Sequence, residues 1–141
     1  AYAAADAEGA MTVLARTKNL LFDFSANTNA GVLADLIEAV GPERVLYGSD
    51  LPIFAVRAHR VVEGDQYINV VPRGSHPAAA TDPSLRETDD VDRLTLLLYE
   101  QLDAFRDVAD RLALTREDVE KVFHGNAERE LGLGSASEAG A

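Results

Sequence analysis

Apolar positions along this chain recur in two rhythms. Residues 6–17 are rich in alanine, with Met11, Leu14 and Ala15 spaced for one helical face. Lys18-Asn19 interrupts that pattern. Leu20-Leu21-Phe22-Asp23-Phe24 follows, a short apolar run of the length expected for a buried strand. Residues 25–29 are a polar turn with several helix-capping side chains. Val32, Leu33, Leu36, Ile37 and Val40 then return at helical spacing until Gly41-Pro42 stops them. Arg44-Val45-Leu46-Tyr47-Gly48 is a second short strand, and it runs into Ser49-Asp50-Leu51-Pro52.

Helix, strand, helix, strand with short connections predicts parallel βαβ units, hence an α/β fold. Residues 51–87 break the rhythm. Four of the five prolines, Gly64, Gly74 and scattered Arg and His fall there without a sustained period. They predict one long connection, a feature more often functional than not, with Tyr67 to Val71 as a small strand or extended piece inside it. From about residue 89 a long helix is expected, with Leu94, Leu97, Leu98, Leu102, Phe105, Val108 and Leu112 on one broad face. Thr115 and Asp118 have capping-box spacing. The helix they open passes through Val119, Val122 and Phe123 and is expected to end at His124-Gly125. Asn126 then caps one more turn, Gly132 closes it, and 133–141 form a flexible tail. Two parallel strands alone make a poor sheet, since about three or more are normally needed. The chain is therefore expected to be part of something larger.

Charge narrows the function classes. The 141 residues carry a net charge of -11, which repels phosphate backbones and anionic lipid and sets nucleic-acid and membrane-surface roles aside. No apolar run approaches the ~18–20 residues of a membrane span. No signal peptide is evident, so a cytoplasmic location is expected. Cysteine is absent, so disulfides and thiolate chemistry are excluded, and any metal must be held by histidine nitrogen and carboxylate oxygen.

The chemistry-bearing candidate is Asp50. An acidic residue at the carboxyl end of a buried parallel strand stands where ligands and catalytic groups gather in such folds. There it can ligate a cation or take a proton from water. Gly48 and Ser49 keep the strand end slim, and Pro52 directs the exit. The plainer alternative is that Asp50 caps a turn. His59, His76 and His124 share no metal-binding spacing with one another or with Asp50, and each is more simply structural. Arg57, Arg60, Arg73 and Arg86 could grip a substrate carboxylate. Tyr67, Asn69 and Arg73 are the preferred substrate-binding candidates.

The segment from Pro42 to Pro52, Pro-Glu-Arg-Val-Leu-Tyr-Gly-Ser-Asp-Leu-Pro, resembles the last barrel strand of the amidohydrolase superfamily, in its amidohydrolase-related branch. That branch includes aminocarboxymuconate semialdehyde decarboxylase-like enzymes. Asn19 to Ser25 resembles the preceding strand, and Leu114 to Ala127 the closing helix. The resemblance implies the C-terminal portion of a (β/α)8 TIM barrel, over residues 1–132, with additional C-terminal helices and 51–87 as an active-site loop. It also implies a metal-dependent hydrolase or decarboxylase acting on a small-molecule substrate, able to form a homo-oligomer. A divalent metal, zinc first, would be approached by Asp50 as ligand and general acid/base. The family's His-x-His pair is not present in this sequence, which implies a piece of an enzyme rather than a complete site. Two rival readings are a non-catalytic acidic α/β module that binds partner proteins through its long helix, and the end of an unrelated (β/α) barrel.

Overall fold

A computed structural model describes residues 9–64 and 66–133. Helix α1 spans Ala10–Arg16 and strand β1 Phe22–Asp23. Helix α2 spans Ala30–Val40 and strand β2 Val45–Leu46. The two strands pair in parallel, Phe22 opposite Val45 and Asp23 opposite Leu46, as the sequence pattern predicts. Asn29 caps α2 by accepting the N–H groups of Gly31 and Val32, so two donors that the first turn leaves unpaired are satisfied. At the other end Gly41, with φ +81, takes a conformation costly for any residue with a Cβ. Leu33, Ala34, Ile37 and Val40 of α2 are buried against Phe24, Val45, Phe105, Val108 and Val122 in one core.

Residues 51–87 are not one structureless connection. They hold strands β3 (Arg57–Glu63) and β4 (Gln66–Pro72), and β5 (Leu85–Thr88) follows at their end. With β6 (Thr95–Leu96) these form a second sheet in the order β5-β4-β3-β6. Glu63 pairs with Gln66, and Gly64 between them takes φ +65. Gly64-Asp65 between Val61-Val62 and Tyr67-Ile68 is the sequence signal for a hairpin turn. It is masked because Arg60 occupies an inward position where the alternation calls for an apolar side chain. Phe54, Ala58, Val71 and Leu97 make a second buried cluster beneath this sheet.

Helix α3 covers Leu97–Arg111, beginning eight residues after the position expected. Residues 89–96 instead form a turn, a 3-10 segment and β6, because the β3 edge draws Thr95 and Leu96 into the ladder. Helix α4 (Arg116–Glu120) opens with a complete capping box between Thr115 and Asp118. It does not end at His124-Gly125. Residues Lys121–Gly125 widen into a π-helical segment that continues into α5 (Asn126–Leu131), closed by Gly132 at φ +66. Within the widened turn Val122 turns its carbonyl to the N–H of Tyr47 at 2.9 Å, so the closing helix covers the edge of the chain beyond β2. The tail expected over 133–141 lies, from residue 134, outside the described residues.

Two fully buried amides fasten the parallel ladder. Asn126 is no helix cap: it lies inside the helical run, 0% exposed, and its Nδ2 donates to Pro42 O and Val45 O at 2.8 Å each. Gln101, also 0% exposed, donates from Nε2 to Phe24 O at 2.9 Å and Gly48 O at 2.8 Å. One amide thus holds the entrance of β2, and the other bridges the exits of both strands. The Oε1 atom of Gln101 has no partner among the described residues.

These contacts rank two substitutions. Asn126→Ala strands the buried Val45 carbonyl, whereas Pro42 O keeps the Val45 N–H, a loss of about 1–3 kcal/mol from the unmet desolvation of that group. Gln101→Leu also strands one carbonyl, that of Gly48, since Phe24 O keeps the Asn27 N–H, but it removes the unpaired Oε1, so its loss should be smaller, about 1 kcal/mol. Urea melts with unchanged slope would check the order. Asp118 offers a pH test. The Thr115 hydroxyl and backbone N–H, and then Lys121, hold its carboxyl below the usual carboxylate range. A group depressed in the folded state stabilises above its unfolded pKa, about 3.9, and stops doing so as pH falls through the folded value. Asp118→Asn should therefore melt lower than the parent at pH 7 and close to it near pH 3.

Candidate functional site

The carboxyl ends of β1 and β2 form a built rim. At β1 the Asp23 carboxylate accepts the N–H of Ser25 at 2.9 Å. The Ser25 hydroxyl, and then this N–H, keep it ionised below its ordinary range. A Cβ at position 48 would collide with the Ser25 hydroxyl, so glycine lets the two strand ends approach. The Tyr47 phenol is pushed up by burial, and its ring stacks on Phe123 at 4.7 Å.

Asp50 follows at the rim, half-buried, with φ +51. Asp tolerates this left-handed conformation better than most residues because its short polar side chain can bond locally. Its carbonyl accepts the N–H of Phe54 at 2.9 Å, making a tight turn through the cis Leu51–Pro52 bond. The turn is pinned from beyond, since Leu98 N donates to Phe54 O and Leu97 N to Val56 O. The Asp50 carboxylate has no hydrogen bond or ion pair to the described residues. It is thus a carboxylate held in place through its backbone and left open at the side chain.

A pocket of about 240 Å³ lies one turn away, lined by Phe54, Val56, Ala58, Val71 and Leu97 among others, with Arg60, Asn69 and His76. It borders the rim because Ala26, just after β1, packs on the Phe54 cluster. Arg60 donates to Ala26 O at 2.5 Å and to Asn69 Oδ1 at 2.7 Å. Its guanidinium also lies 5.2 Å from the Phe54 ring centre and 4.8 Å from that of Tyr67.

Of the three substrate-binding candidates, Asn69 lines this pocket and Tyr67 supports Arg60 from behind. Arg73 is not brought there. It forks onto Asp89 at 2.7 and 2.9 Å and reaches Glu87 at 3.4 Å, 60% exposed on the outer strands. Arg86 is likewise engaged with Glu63. Among the four arginines the structure brings Arg60 to this pocket, a placement that no sequence period records. Gln101 was detectable as the one polar residue in the run Leu97, Gln101, Phe105 at helical spacing.

The histidines stay apart from Asp50. His59 pairs with Glu100 at 2.8 Å, His124 faces Glu128 at 3.6 Å, and His76 accepts the N–H of Ala78. Among the described residues no three of His, Asp or Glu converge as a metal-binding group. The donor set present therefore does not fit a complete divalent metal site, and Asp50 could supply one ligand at most. No helix among the described residues is long and apolar enough to cross a membrane.

A larger hollow, about 540 Å³, lies at the opposite end of the ladder between Lys18–Leu21, Glu43, Arg44, Arg129 and Glu130. Parallel strands present their chemistry at the carboxyl end, so the smaller pocket is the better candidate. No curated protein and no solved structure matches the chain. Residues 2–133 match the amidohydrolase family. The chain belongs to the amidohydrolase family.

Proposed function

We propose that the chain is the C-terminal part of a (β/α)8-barrel hydrolase that cleaves a small organic substrate, with Asp50 as general acid/base. The observation that carries this reading is the position of Asp50, four residues beyond the carboxyl end of parallel strand β2 in a member of the amidohydrolase family, with its carboxylate unengaged by the described residues. A two-stranded parallel ladder supports the fragment reading, because such a ladder needs further strands to become a stable barrel wall.

A carboxylate at this rim can accept a proton from water as the water attacks, then return it to the departing group. The backbone turn from Asp50 to Phe54 fixes where that proton is exchanged. Arg60 and the apolar walls beside it would orient the rest of the substrate. The divalent metal expected from the family, zinc first, would need its remaining ligands from outside the described residues, and no step is assigned to it. Hydrolysis is preferred to decarboxylation because an unengaged carboxylate is suited to moving a water proton.

Asp50→Asn keeps the size of the side chain and removes the base. In the complete enzyme it should lower turnover of small esters and amides by about 10²- to 10⁴-fold, the usual worth of a positioned proton-transfer group. Circular dichroism and melting temperature should stay near those of the parent. Undiminished turnover in the folded variant would remove Asp50 from the mechanism.

A further inference from the structure

The pocket beside Asp50 differs in character from the rest of the chain. The sequence holds 24 Asp and Glu against 13 Lys and Arg, yet none of the pocket's lining residues is acidic. Phe54, Ala58, Val71 and Leu97 give it buried hydrocarbon walls. Ile53 and Val56 stand at its mouth, 68% and 49% exposed.

Its polar groups are donors. Arg60 carries a permanent charge, fixed between two aromatic rings by hydrogen bonds to Asn69 and Ala26. The oxygen of Asn69 is already taken by Arg60. Nδ1 of His76 accepts the Ala78 N–H at 3.2 Å, so the neutral ring carries its proton on Nε2. Apolar walls screen charge weakly, which extends the field of the guanidinium through the pocket. The cavity is smaller than the ~300–1,000 Å³ that takes a drug-sized ligand, so its occupant is compact.

We propose that this pocket binds a small branched aliphatic carboxylate, its hydrocarbon end among Phe54, Val56, Ala58, Val71 and Leu97 and its carboxylate towards Arg60 and His76. As a substrate subsite the assignment rests on the reading of Asp50 as acid/base; as a binding site it stands by itself.

Titration of the ¹⁵N-labelled complete enzyme with isovalerate tests it, with isopentanol lacking the charge and acetate lacking the branched chain. Saturable shifts are expected for the amides around Phe54–Ala58, Asn69–Val71 and Leu97. Isovalerate should bind on the order of tenfold tighter than either control, the margin a charge-assisted contact supplies. Val56→Glu and Ile53→Glu, both at the exposed mouth, should abolish those shifts while the rest of the spectrum keeps its dispersion. The proposal is overturned by the absence of saturable shifts in the folded chain, by equal affinity for either control, or by binding that survives both variants. Should isovalerate bind while Asp50→Asn leaves turnover unchanged, the active-site reading alone fails. A flat titration beside an inactive Asp50→Asn removes the pocket alone.

Discussion

Two buried carboxamides hold a parallel ladder that is too small to hold itself. β1 and β2 contribute two residues each, so few inter-strand hydrogen bonds resist their separation. Gln101 compensates by donating to Phe24 O and Gly48 O, just beyond the two strands, and Asn126 by donating at the entrance of β2. A carbonyl left unpaired in this core costs about 1–3 kcal/mol; Val45 O and Gly48 O depend on these amides, while Pro42 O and Phe24 O also accept the N–H groups of Val45 and Asn27. The π-helical turn belongs to the same arrangement. By opening one helical hydrogen bond it frees Val122 O for Tyr47 N and brings Asn126 over Val45. The direction in which the chain leaves β2, and so the place of Asp50, follows from these contacts.

Charge is sorted accordingly. Arg73 and Arg86 meet carboxylates on the outer face of the second sheet, where exposed pairs contribute roughly 0–1 kcal/mol each and are screened by salt. Arg60 sits on the inner face, bonded to a backbone carbonyl and a neutral amide and flanked by Phe54 and Tyr67. Its contacts hold the hairpin to the turn after β1, so one side chain joins the second sheet to the rim and places a cation at the pocket.

Much of the first sheet was legible in the sequence, since its signals are local. Asn29, the helical spacing of Leu33 to Val40, Gly41 and the short strand at Val45-Leu46 each carry a propensity that the tertiary structure reinforces. The second sheet was hidden by non-local causes. Arg60 points inward because aromatic rings and a distant carbonyl receive it, and no period in the sequence records that. Thr95 and Leu96 join a strand edge supplied by residues almost forty positions earlier, which shortens the expected helix. Asn126 has the residue type of a cap, and only the approach of Pro42 and Val45 gives its amide another use. The carboxylate of Asp50 was recognisable from its neighbours, whereas its unengaged state and the adjoining pocket needed the hairpin to be in place.

The two hollows at the ends of the ladder show why volume is a poor guide to function here. The larger one, at the strand entrances, has cations already committed to holding the chain. Arg44 donates to Val40 O and Thr17 O, and Arg129 to Asn126 Oδ1 and Glu43 O. A ligand binding there would have to displace bonds that also steady Asn126, so binding would oppose folding. At the exits the arrangement is reversed. Backbone bonds and Gln101 fix the rim without using the Asp50 carboxylate, and Arg60 is anchored to Ala26 O and Asn69 beside the pocket. A ligand at that end can be bound without loosening what holds the strands, which is the condition a catalytic face has to meet.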